Sequence, residues 1–118
     1  MNRRKQLVAE YQQMKPDMGI FMIRSLDSQK CLLDVSQNIK AKINSVKFQL
    51  GANLHPNQEL QKEWNEYGEH RFEITILEKL KYSKDESKTD YSEELEILKL
   101  EWEDKLLQEN TTFYRKKI

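Results

Sequence analysis

The sequence predicts a small α/β domain, and three observations predict it. "GIFMIRS" is apolar on both faces and is followed after a turn by a second short apolar run, which reads as a β-hairpin. Apolar residues then recur at helical spacing in three later segments, and between the second and third of these "RFEITILEKL" returns to a two-residue alternation. The 118 residues, 37% apolar and 34% charged, suffice for one domain with a core of its own.

The elements follow in order. Residues 2–14 place Leu7, Tyr11 and Met14 at helical spacing, and Pro16 ends that helix. The hairpin covers residues 19–35, with "LDSQK" as its turn. A first strand apolar on both faces belongs at the centre of a sheet. Asn38 caps the next helix, whose stripe is Ile39, Ile43, Val46 and Leu50 and which Gly51 stops. After the loop "ANLHPN", "QELQKEWNEYG" is a helix with Leu60 and Trp64 one turn apart and Gly68 as a left-handed cap. Phe72, Ile74 and Ile76 then alternate with Glu73 and Thr75 in a half-buried strand. Ser92 caps a long last helix with an acidic first turn, and Leu95, Leu98, Trp102 and Leu106 face inward. The order is α-β-β-α-α-β-α, with residues 1–15 as an N-terminal helix, 16–110 as the domain, and 111–118 as a basic tail expected to fray at Arg115, Lys116 and Lys117.

Composition excludes several function classes. A single cysteine, Cys31, permits no internal disulfide, and no disulfide-linked partner is expected. No run approaches the roughly 18 apolar residues of a membrane span, and the charged start lacks a signal-peptide core, so a cytoplasmic protein without a membrane partner is expected. Two histidines and one cysteine make neither a zinc site nor a Cys–His nucleophile. His55 and His70 read as ordinary surface residues. Net charge is zero, but residues 1–50 carry nine Lys or Arg against four Asp or Glu, and residues 85–109 carry ten acidic residues against three lysines. A strong nonspecific nucleic-acid binder would be more basic overall.

The hairpin, "NIKAKINSVKF", the passage from "ELQKEWNEYG" to "FEITILE" and the tryptophan of the last helix together resemble the GIY-YIG nuclease family, above all its small single-domain bacterial and phage members. The resemblance covers roughly Pro16 to Leu107 and implies a three-stranded antiparallel sheet flanked by helices. It also implies a catalytic set: a tyrosine in each hairpin strand, an arginine and often a histidine on the following helix, and a metal-binding glutamate on the last helix.

Residue by residue, that set is gone. The first tyrosine position is Phe21. The second triplet falls on Leu32-Leu33-Asp34, so Leu32 stands for the second tyrosine and Asp34 for the glycine. Lys42 stands for the arginine, keeping charge without the bidentate fork, and Val46 for the histidine. Counting back from Trp102 puts the glutamate at Lys99, and an ammonium cannot hold magnesium. On this register Lys99 points toward the side of Phe21, Leu32 and Lys42, and Asp34 is its expected ion partner.

The expectation is a catalytically inactive, pseudonuclease domain that needs no metal or other cofactor and serves as a regulatory module binding a protein or a nucleic acid. If nucleic acid is the partner, Lys40, Lys42 and Lys47 are the expected phosphate contacts. The alternative is a metal-dependent nuclease with relocated groups, for which Glu96, Glu101 and Glu103 are the acidic candidates.

Overall fold

The computed structural model describes residues 15–115. The expected N-terminal helix therefore lies, apart from Lys15, outside the described residues. The remaining elements are β1 (Met18–Ser25), β2 (Cys31–Ser36), α1 (Ile39–Gly51), α2 (Gln58–Tyr67), a 3-10 turn (Glu69–Arg71), β3 (Phe72–Leu80) and α3 (Ser92–Gln108). They form a three-stranded antiparallel sheet in the order β2-β1-β3, flanked by helices.

The central place of β1 follows from its sequence. Phe21 and Ile23 face one side, where they pack with Ile39, Val46, Leu50 and Leu60 from α1 and α2. Met18 and Ile20 face the other, against Leu95 and Leu98 of α3. The side chains of β1 thus join two cores, and the buried polar Ser25 at its end has its hydroxyl bonded by the Asp27 and Ser28 N–H groups.

Gly19 is required where β1 runs closest to β3. A Cβ there would lie 2.1 Å from the Glu78 carbonyl oxygen, and its φ of 156° suits glycine best. Beside it the pairing register shifts: Ile20 faces Glu78 and Phe21 faces Ile76, so Leu77 is an extra residue in β3. The alternation up to Ile76 is intact, since Ile76 still pairs with Phe21. Phe72 and Ile74 pack toward α1 and α2 as the alternation predicts, but Ile76 is 45% exposed and Leu77 turns to the α3 side. The inward assignment of Ile76 is therefore corrected.

Helix ends show where short-range signals suffice. Asn38 caps α1 by accepting from the Ala41 N–H at 3.1 Å. Gly51 does not stop that helix: it is the last helical residue, and the reversal comes at Asn53, which carries the positive φ of 62°. Gly68 has a positive φ of 93° but an extended ψ of 158°, so it turns the chain into the 3-10 segment instead of closing a left-handed cap. Ser92 makes no cap either. Asp90 accepts from both its N–H and its hydroxyl at the head of α3.

The start of the expected basic tail is an ordered strap. Cys31 N–H donates to the Thr112 carbonyl and the Tyr114 N–H donates to the Cys31 carbonyl, both at 2.9 Å, a parallel bridge to the outer edge of β2. Tyr114 is buried, and its hydroxyl donates to Glu63 Oε1 at 2.9 Å. Its aromatic bulk anchors the segment as far as Tyr114; the Arg115 side chain is 91% exposed, and Lys116 and Lys117 lie outside the described residues.

Candidate functional site

Antiparallel pairing places Phe21 opposite Asp34 and Ile23 opposite Leu32, all on the side of the sheet that α1 and α2 cover. Phe21 is fully buried in the core there, so its ring serves packing beneath the surface. Leu32 and Asp34 lie nearer the outer edge of β2. On α1, Lys42 and Val46 are four residues apart and project together. These four, with His55 from the α1–α2 loop and Lys99 from α3, line a cleft of about 310 Å³.

Lys99 lines the same cleft as Leu32 and Lys42, whereas Phe21 lies beneath it in the core. Leu95 and Leu98 are buried on the inner face of α3, and Trp102 lies half-buried with its indole N–H donating to Glu78. Lys99 follows Leu98 on the flank of that face, which carries its side chain past the edge of β2.

The expected ion pair is different. Asp34 Oδ2 lies 3.9 Å from Lys42 Nζ, and Oδ1 accepts from the Val35 N–H at 2.9 Å. Lys99 belongs to none of the ion pairs found among the described residues. Lys42 wins because it sits on the helix packed over the same face as Asp34, whereas Lys99 approaches from the opposite layer.

Lys40, Lys42 and Lys47 do not share one track. Two residues of α-helix rotate Lys42 by about 200° from Lys40. Lys42 enters the cleft, while Lys47 lines a separate cavity of about 470 Å³ floored by Trp64 and Phe72. The three-lysine phosphate contact expected from the sequence is therefore split over two sides of α1. Among the acidic candidates, neither Glu96 nor Glu101 lines the cleft, and Glu103 lines an adjoining cavity.

His55 was hidden by its loop position, and the structure brings it into the cleft. Its Nδ1 accepts from the Asn57 N–H at 3.0 Å, which fixes the neutral ring with its proton on Nε2. Burial holds its pKa below the ordinary value; the Asn57 bond and the charge of Asp34 oppose that shift, and the charge of Lys42 adds to it. The imidazole is neutral near pH 7 and its one acceptor nitrogen is engaged. It can donate a hydrogen bond, but it is poorly arranged to take a proton from water.

The donor set does not fit the divalent metal that the family resemblance implies. Asp34 is the one carboxylate among the described residues lining the cleft, and it faces Lys42, with a second ammonium at Lys99. Among the described residues no three His, Cys, Asp or Glu side chains converge to hold an ion.

The same fold occurs in solved structures of a GIY-YIG nuclease. The catalytic domain of homing endonuclease I-TevI superposes with a TM-score of 0.64 at 20% sequence identity, covering 84% of this chain and 99% of that one. A Glu-to-Ala mutant of the catalytic domain of intron endonuclease I-TevI gives 0.51 at 25% identity, over 68% of this chain and 84% of its own. No family model and no curated protein sequence matches. The chain has a GIY-YIG-like fold.

Proposed function

We propose that this GIY-YIG-like domain has lost nuclease chemistry and acts as a binding module. One observation carries the reading: an ammonium, Lys99, lines the cleft where the resemblance implies a metal-binding carboxylate. Phosphodiester cleavage needs an activated water, charge stabilisation at phosphorus and a route for the leaving group. Phe21 and Leu32 supply no hydroxyl, and Lys42 is engaged by Asp34. His55 has its acceptor nitrogen committed to the backbone. One missing group could be covered by a neighbour, but here no residue lining the cleft is arranged to activate a water or to hold a metal ion.

What remains is suited to recognition. The cleft holds two ammonium groups, one carboxylate and one imidazole donor above an apolar floor. Either a protein or a nucleic acid could engage such a surface. Asp34 disfavours a close-running phosphate, and the zero net charge gives little long-range attraction to a polyanion. Both facts favour a protein.

The test is cleavage of single-stranded, double-stranded and branched DNA and of RNA with magnesium or manganese. No turnover is expected on any substrate. Metal-dependent cleavage abolished by Glu96→Ala, Glu101→Ala or Glu103→Ala would establish the relocated-site alternative.

A further inference from the structure

The cleft does not end at Lys99. A second cavity of about 410 Å³ adjoins it, sharing Leu32, Leu33 and Lys99 as walls, and is completed by Leu107 of α3 and by Phe113 and Tyr114 of the strap. Its walls are mostly aliphatic or aromatic, with Glu103 as the acidic exception. Leu107 is 58% exposed at its border, so its side chain is free to meet a ligand there. Lys99 thus stands between a polar cleft and an apolar cavity.

Building on the reading that the domain binds without cutting, we propose that the two cavities form one groove for a segment of a partner protein. That segment presents a carboxylate side chain and a large apolar side chain within one or two residues of each other. The carboxylate enters the cleft, where Lys99 lies in none of the ion pairs found among the described residues and the His55 Nε2–H is a further donor. The apolar side chain enters the second cavity against Leu33, Leu107 and Phe113. The orientation is set by charge: Lys99, at the border of the two cavities, draws the carboxylate to the polar cleft, and the aliphatic and aromatic walls of the second cavity take the apolar side chain. A phosphate backbone would gain nothing from the aliphatic cavity. A protein segment satisfies both halves at once.

The strap makes the pocket conditional. Phe113 and Tyr114 are walls only while Tyr114 stays bonded to Glu63 and the Cys31 bridge holds. The groove is therefore assembled from three parts of the chain, and its existence depends on the docked strap.

The probes are blocked hexapeptides containing Leu-Glu or Leu-Ser-Glu, matched peptides with Gln for Glu or Ser for Leu, octanoate, and a duplex DNA oligonucleotide, each titrated into the full chain while amide resonances are followed. Leu-Glu or Leu-Ser-Glu peptides are expected to shift Leu32, Leu33, Lys99 and Leu107 together. Gln for Glu, Ser for Leu, and Lys99→Glu in the protein should each weaken binding about fivefold or more. Absence of peptide binding, or equal binding by the matched controls, overturns the proposal. So does octanoate binding as tightly as the peptides, or DNA displacing them from the same residues. None of these results restores catalysis: the noncatalytic reading fails only in the cleavage assay, so the two failures are distinguishable.

Discussion

Asp34 Oδ2 lies 3.9 Å from Lys42 Nζ, so a carboxylate of β2 is paired across the cleft with an ammonium of α1. The pair is long and partly exposed, which limits its strength. Asp34→Ala is expected to change unfolding free energy by no more than about 1 kcal/mol, as read by chemical denaturation. A much larger loss would assign Asp34 a structural role, through its bond to the Val35 N–H, that outweighs its place in the cleft.

Tyr114 is expected to hold the strap. Its hydroxyl meets Glu63 Oε1, which also accepts from the Ser28 hydroxyl at 2.6 Å, and burial, first, with the Glu63 bond raises the phenol pKa well above its usual value. Tyr114→Phe removes one donor to a buried carboxylate and should cost about 1–3 kcal/mol. Tyr114→Ala should also undock the strap. Cys31 reports this directly: it is the sole cysteine, it is buried, and burial raises its thiol pKa. Thiol labelling under native conditions should be slow in the parent chain and much faster in Tyr114→Ala. Equal rates would mean the strap does not shield Cys31.

His55 gives the fold a pH dependence of known sign. Its folded pKa lies below the ordinary value, chiefly through burial. As pH falls below about 6.5 the unfolded chain binds the proton first. The contribution of His55 is therefore fully present above that value and is lost as pH falls toward the folded pKa. Denaturation midpoints should decline as pH falls below about 6.5, and His55→Gln should flatten the decline. An unchanged slope in the variant would show that His55 is not the titrating group.

Gly19 tests the backbone geometry. A methyl group at 2.1 Å from the Glu78 carbonyl oxygen cannot be relieved by rotating a side chain, because the obstruction is main chain. Gly19→Ala is expected to lose on the order of 3 kcal/mol or to fail to fold. A mild effect in thermal denaturation would mean that β1 and β3 can separate there.

Much of the fold was legible because local signals and burial agreed. The two-faced strand around Phe21 became the sheet centre, and Asn38 both capped α1 and set the phase that buries Ile39, Val46 and Leu50. The inward face of α3 was legible in the same way, since Leu95, Leu98 and Trp102 recur at helical spacing and pack against the sheet. The misses needed information from distant parts of the chain. The extra residue at Leu77 has no glycine or proline to mark it and is imposed by pairing with β1. The preference of Asp34 for Lys42 depends on which layer covers its face of the sheet. His55 entered the cleft because the loop before α2 folds back on its own backbone, and Tyr114 looked like part of a polar end until β2 and Glu63 received it.

The central claim, that the cleft has exchanged its metal-binding carboxylate for Lys99, is tested most directly by manganese. Paramagnetic Mn²⁺ titrated into the parent chain broadens amide resonances near any bound ion. The account predicts no selective broadening at Leu32, Leu33, Asp34 or Lys42 at concentrations that support nucleases of this fold. Selective, saturable broadening of those residues would contradict it.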